Sequence, residues 1–320
     1  MNRSDLPSGA RETPLLRFLL RRMRHTCRPL GGKAAPKAGA TATSRWQSLR
    51  HVGRSADTLA NLLPLAILLL VAALPAHAGE PVPPPSPRPA WDWQLSPPLE
   101  LRRRVDILDI DPDLLSASQV RKLRARGTYM VCYVSVGTWE RWRRDSGRFP
   151  RFVLGRTYED WPDERFLDIR RRDVLLPIMR KRFRRCAEMG FQAIEADNID
   201  IYEMNTGFPL TREDALAYAR ALADAAHALG LAIAQKNAPD IVDDLVNVMD
   251  FAVVEECFSQ NECKTYLPWR ARGRPVLVAE YALAGAAWLA ACRQAETLGF
   301  SLIRKNRDLT GNVYRRCPMH

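Results

Sequence analysis

The sequence predicts a (β/α)8 TIM barrel, and three observations carry that prediction. A glycine of the kind that stops a helix precedes a short apolar segment five times, at Gly127, Gly190, Gly230, Gly273 and Gly299. Glycine enters the left-handed conformation cheaply, which is why it sits so often just past a helix C-terminus. The apolar segments run nearly unbroken, as strands do when helices cover both faces of a parallel sheet. No glycine-rich phosphate loop follows the first strand, which disfavours the alternative, a doubly wound open sheet.

In chain order, residues 1–58 form a basic, low-complexity leader expected to be disordered, with 12 Lys and Arg against three acids. Residues 59–78 carry no charge. Their run of Leu, Ala, Ile and Val, closed by Ala76-His77-Ala78, reads as a secretory signal with a small-x-small cleavage site. The run is short for a membrane span and Pro64 interrupts it, so an uncleaved anchor is the alternative. Of the chain's 48 basic and 36 acidic residues, the part after the leader keeps 36 and 33. The basic balance therefore belongs to the leader and does not argue for a nucleic-acid partner. The mature protein is expected outside the cytoplasm, secreted or periplasmic, as a monomer with no stable membrane association.

Residues 79–90 are a Pro-rich linker, and the enzyme-sized domain spans 91–317. Its strands are expected at Trp93–Leu95, Val105–Ile110, Tyr129–Val134, Phe191–Asp197, Leu231–Asn237, Phe251–Glu255, Pro275–Glu280 and Ser301–Asn306, eight in all. About 240 residues for eight units is the size of such a barrel. Thr211 with Asp214 three residues on forms a capping box, and Leu216, Ala219, Leu222, Ala223 and Ala226 make the apolar stripe of the helix that follows. Asp173 is expected to cap the helix ending at Gly190.

Six cysteines remain after the leader, in an oxidising setting. Cys257 and Cys263 flank a polar turn, and Cys292 and Cys317 could tie the tail to the last helix. Cys132 lies in an apolar strand and Cys186 on a helix, where a buried thiol and a bridge are both open.

In barrels of this kind the active site lies at the C-terminal ends of the strands. The residues there are Asp109, Asp111, Glu195, Asp197, Lys236, Asn237, Glu255, Glu256, Glu280, Lys305 and Asn306. On the central strand Ala193, Glu195 and Asp197 share one face. The loop from Gly137 to Arg172 is long for a connection and carries Trp139, Trp142 and Trp161, candidate platforms for sugar stacking. Two carboxylates across a pocket are the minimum apparatus of glycoside hydrolysis, one to attack or activate water and one to protonate the leaving group. No histidine lies at a strand end, which removes the usual Ser-His and zinc arrangements; no metal and no cofactor are expected.

Several motifs now resemble a known family. Ile194-Glu195-Ala196-Asp197-Asn198-Ile199-Asp200, then Asn205 to Thr211, is similar to the signature of glycoside hydrolase family 114, the endo-α-1,4-polygalactosaminidases. The same holds for Cys132 to Glu140, Trp161-Pro162, Leu167 to Arg170, Phe251 to Phe258, Asn261-Glu262-Cys263 and Arg304-Lys305-Asn306. The likeness runs in order from Trp91 to Cys317. It implies Asp197 as nucleophile, Glu255 as general acid/base, and the Cys257/Cys263 pair. Ala196, where the family often has proline, and Val254-Glu255-Glu256, where it often has Asn-Glu-Gln, depart from the pattern without removing a catalytic acid.

The resemblance implies a secreted, endo-acting, retaining hydrolase of α-1,4-linked galactosamine and N-acetylgalactosamine polymers. Glu195, Asn198, Asp200 and Tyr202, around Asp197, are expected to bind substrate. So are Asp109, Asp111, Trp139, Lys236, Asn237, Glu280 and Lys305. The partner is a cationic or N-acetylated galactosamine polysaccharide, whose ammonium groups an acidic rim would attract. The competing reading is a non-catalytic carbohydrate-binding barrel, which would have no need of both Asp197 and Glu255.

Overall fold

The computed structural model describes residues 81–85 and 87–318. The leader and signal segment lie outside the described residues. Eight parallel strands form one curled sheet: β1 (Trp91–Gln94), β2 (Ile107–Ile110), β3 (Tyr129–Ser135), β7 (Ala193–Asp197), β8 (Ala232–Lys236), β9 (Phe251–Glu255), β10 (Val276–Glu280) and β11 (Ser301–Arg304). They lie side by side in that order, and a short antiparallel strand, β12 (Arg315–Arg316), adds to β11. The seam between β11 and β1 is closed by single contacts. The Trp91 indole donates to the Ser301 carbonyl at 2.9 Å, Leu95 N donates to Leu309 O at 3.0 Å, and Ser96 bridges Thr310.

The missing numbers belong to the long loop, which is not an irregular excursion. It folds into a three-stranded antiparallel sheet ordered β4 (Thr138–Glu140), β6 (Trp161–Leu167), β5 (Leu154–Tyr158). The helices are uneven: α1 (Ala117–Arg124), α2 (Arg172–Met189), α3 (Arg212–His227) and α6 (Gly285–Leu298) are full crossovers. Two others, α4 (Val242–Leu245) and α5 (Leu267–Ala271), are about one turn. Thr211 and Asp214 make the expected reciprocal cap of α3. Asp173 does not cap α2; Arg171 holds the cap position, and Asp173 sits in the first turn paired with the Arg171 guanidinium. There the carboxylate also faces the positive end of the helix dipole.

All five helix-stopping glycines have positive φ, from 70° to 103°. At Gly299 the requirement is twofold, because a Cβ would also meet the Arg270 guanidinium at 2.9 Å. Two apolar layers result. Outward residues of the strands pack with the helices around Phe183, Leu222, Trp269 and Trp288. Inward residues, among them Trp91, Trp93, Val131, Ala193, Ala232, Ala234 and Phe251, fill the barrel. The last inward residue of each central strand is polar, because there the lining meets the open end.

Three disulfides join described residues: Cys132–Cys186, Cys257–Cys263 and Cys292–Cys317. The first settles the residues left open by spacing. It staples β3 to α2 across 54 residues, a separation from which no pairing is legible. No described helix is long and apolar enough to cross a membrane. The segment before β1 lies against the barrel: Tyr129 Oη donates to the Val82 carbonyl at 2.6 Å, and Arg88 pairs with Glu296.

Candidate active site

Strands β7, β8 and β9 are consecutive neighbours, and their inward faces read Ala193-Glu195-Asp197, Ala232-Ala234-Lys236 and Phe251-Val253-Glu255. Small residues low on the first two faces leave room for Trp93. Its indole donates to Glu195 at 3.0 Å, and its ring lies 5.1 Å beneath the Lys236 ammonium. Above it, at the C-terminal end of the strands, Asp197 and Glu255 flank Lys236. The Lys236 nitrogen is 2.9 Å from Asp197 Oδ1 and 2.6 Å from Glu255 Oε2. Those two distances bound the nearest oxygens of the carboxylates at 5.5 Å apart.

The surrounding donors orient both acids. Tyr133 Oη donates to Asp197 Oδ2 at 2.8 Å, and Asn198 Nδ2 to the same oxygen at 3.1 Å. Asn198 is left-handed, at φ 64°, a conformation asparagine tolerates better than most residues. Its carbonyl packs so close to Gly137 that a Cβ there would lie 1.8 Å away. Asn237 Nδ2 donates to Glu255 Oε2 at 3.0 Å, and its Oδ1 accepts the Glu255 N–H. The Tyr281 hydroxyl donates to Glu255 Oε1.

Electrostatics divide the acids into two sets. Burial pushes the Glu255 carboxyl up, but the Lys236 charge and the bonds from Lys236, Tyr281 and Asn237 outweigh it and hold the group at about 2. Burial would discharge Lys236, yet Asp197, Glu255 and Glu195 keep its ammonium well above the usual lysine range. Deeper in the barrel, Asp109 and Glu195 are fully buried and close enough that each shifts the other. Neither Asp109 oxygen, nor Glu195 Oε1, has a hydrogen-bond donor among the described residues, which disfavours holding both groups charged. Burial raises Asp109 to about 7, and burial with the Asp109 charge drives Glu195 well above the carboxylate range. Asp200, half-buried beside Asp197, is lifted to about 6, chiefly by burial.

The other expected binding residues sort by geometry. Asn198, Asp200 and Asn237 stand at the mouth with the two acids. Tyr202, half-buried, gives its hydroxyl to Asp240 on the next loop. Asp109 and Glu195 do not reach the open mouth; they form the floor below it. Asp111 caps the turn at Pro112–Leu114 and pairs with Arg143 at 2.9 Å. Glu280 is buried and accepts from Phe258 N and from Ser259, so it anchors the Cys257–Cys263 loop. Lys305 is fully buried, bonded to Asp92 at 2.7 Å and to the Thr310 carbonyl, and serves the barrel seam rather than a ligand. Trp139 is half-buried with its indole on the Ser146 carbonyl, so it packs the loop sheet; Trp161 is the exposed one, at 42%. Tyr133 and Tyr281 were not singled out by sequence. Their position at inward strand ends was the available signal.

Residues 72–320 match the model of glycoside-hydrolase family GH114. The chain belongs to that family. No curated protein matches it. Among solved structures, it is 31% identical to Aspergillus fumigatus Ega3, solved in complex with galactosamine, with a TM-score of 0.69 over 73% of this chain and 97% of that one. It is 16% identical to the glycoside hydrolase domain of PelA from Pseudomonas aeruginosa, with a TM-score of 0.55 over 72% and 100%. The second likeness concerns the fold. As a GH114 member the chain is a glycosidase, and the carboxylates around Lys236 are its candidate catalytic pair.

Proposed function

We propose that the protein is an exported, endo-acting, retaining hydrolase of α-1,4-linked galactosamine polymers. Asp197 is the nucleophile and Glu255 the general acid/base. The observation that carries this reading is the single Lys236 ammonium within hydrogen-bond distance of both acids. The shared cation draws the two carboxylates together, with their nearest oxygens at most 5.5 Å apart, which supports the close spacing of a retaining pair.

The chemistry then runs in two balanced steps. Asp197 bonds to the anomeric carbon as the glycosidic C–O bond breaks, and the leaving oxygen takes the proton of Glu255. Glu255, now a carboxylate, takes a proton from water, whose oxygen bonds to the same carbon as the ester to Asp197 breaks. Two inversions return the α-anomer. Glu255 holds no proton while Lys236 sits on it, so substrate entry must draw the ammonium toward Asp197 and let Glu255 take a proton from solvent before the first step.

Substrate class follows from charge. The loops after β7, β8 and β9 carry Asp200, Glu203, Asp240 and Glu262, and burial together with the nearby Glu203 charge raises Glu262. A groove of that sign suits a polymer of ammonium sugars, and the similar Ega3 was solved with galactosamine. Export is supported by three disulfides, which persist in oxidising compartments.

Incubation with partly deacetylated α-1,4-galactosamine polymer tests the reading. The wild type should release new reducing ends as a spread of oligosaccharides from the earliest times. Release of monomer alone would overturn endo action, and no new reducing ends would overturn the substrate.

A further inference from the structure

A cavity of about 190 Å³ opens between the loop sheet, the turn after β2 and α2. Six basic side chains line it: Arg143, Arg144, Arg148, Lys181, Arg182 and Arg185. Three acids line it as well, Asp113, Glu140 and Asp145, and Asp111 stands behind Arg143. Six cations against four anions leave a local charge of +2.

The cations fall into two tiers. Arg143 and Arg182 are 9% and 11% exposed and build the floor. Arg143 forks onto Glu140 and also reaches Asp111 and Asp113; Arg182 forks onto Asp145 and donates to the Ser135 carbonyl. These pairs hold the guanidinium planes rigid, as bidentate arginine–carboxylate bonds do. Arg185 commits only Nη2, to Asp113 and the Pro112 carbonyl, and its other N–H groups have no acceptor among the described residues. At the rim, the side chains of Arg144, Arg148 and Lys181 are exposed and make no hydrogen bond or ion pair among the described residues. A surface that merely solvates its charges scatters them. Here the uncommitted cations converge on one concavity over a preorganised arginine floor.

We propose that this cavity is a binding site for a divalent oxyanion of the phosphate class. Arginine supplies planar forks matched to phosphate oxygens, and a dianion neutralises the local +2. The glycan proposed for the catalytic mouth is cationic and would be repelled here, so the site is separate from the substrate groove. The two share one wall, Tyr133, which lines the cavity and whose hydroxyl bonds Asp197.

Isothermal titration of the full chain with inorganic phosphate at low ionic strength tests the site without reference to catalysis. The wild type should show saturable binding with a dissociation constant near or below about 1 mM. The triple variant Arg144→Ala/Arg148→Ala/Lys181→Ala should bind at least about tenfold more weakly, a loss of about 1.4 kcal/mol, with unchanged thermal stability because these side chains carry no bonds. The single reversal Lys181→Glu should weaken binding in the same direction, and it stands in for the triple variant if that one does not fold. Glucose 6-phosphate, titrated in parallel, separates two sources of the group. Tighter binding than inorganic phosphate assigns the site to a phosphorylated glycan, and equal or weaker binding to free phosphate. Absence of saturable binding up to about 10 mM of either probe, or unchanged binding in the variants, would overturn the proposal.

Discussion

Lys236 Nζ lies 2.6 Å from Glu255 Oε2, so the residue assigned to protonate the leaving group rests ionised against a buried cation. The cation is set by register: Lys236 is the last inward residue of the strand between those bearing Asp197 and Glu255. Its side chain is 5% exposed, leaving it no solvent route for its charge except through the two acids.

Replacing Asp197 with Asn or Glu255 with Gln should each lower turnover by about 10³-fold or more, since covalent and acid catalysis fail separately. Both variants keep the shape of the site but take one counter-charge from the buried Lys236, so the fold should be retained with a lowered melting temperature. Reducing-end assays and thermal melts check the two halves.

Lys236→Met should raise the Glu255 pKa from about 2 to above its ordinary 4.5, because burial then acts without the opposing charge. In the wild type, the depressed value makes Glu255 stabilising above pH 4.5, and that contribution is lost as pH falls from 4.5 toward 2. The variant should lack this window. Carboxyl ¹³C NMR, assigned with Glu255→Gln, reads the shift directly; an unmoved resonance would contradict the role of Lys236.

Asp109 has the opposite sign. A carboxyl raised to about 7 favours the folded state fully below its ordinary 3.8, and that stability is lost as pH rises from 3.8 to about 7. Asp109→Asn supplies the donor without the proton. Its melting temperature relative to wild type should therefore rise between pH 4 and pH 8. A pH-independent difference would mean that burial does not keep Asp109 protonated in the folded state.

Neutralising the rim by Glu203→Gln with Glu262→Gln should raise KM for deacetylated polymer several-fold, with little change in kcat. The effect should shrink as salt increases, because exposed charges are screened. Equal effects on fully acetylated polymer would argue against recognition of ammonium.

The barrel and the inward face of Ala193, Glu195 and Asp197 were legible because they rest on local signals: glycine stops, apolar runs and a period of two, while the choice of Asp197 with Glu255 came from the family resemblance. What escaped depends on partners distant in sequence. Lys305 looked like a mouth residue because it follows a strand, but Asp92, 213 residues away, takes it into the seam. Glu280 looked like a substrate-binding residue for the same reason and instead holds the Phe258 and Ser259 amides. Trp139 and the Gly137–Arg172 loop were read as an open platform, because an antiparallel sheet with a shifted register between β5 and β6 leaves a weak alternation in sequence. The burial of Asp109 and Glu195 likewise depends on Trp93 reaching in from the first strand.

Proton NMR of the first-formed product tests the central claim most directly. Nucleophilic attack by Asp197 followed by hydrolysis of its ester predicts the α-anomer first, with the β-anomer appearing only as mutarotation proceeds. The β-anomer appearing first would show that water attacks the sugar directly, and would contradict both the covalent role of Asp197 and the significance given to the Lys236 bridge.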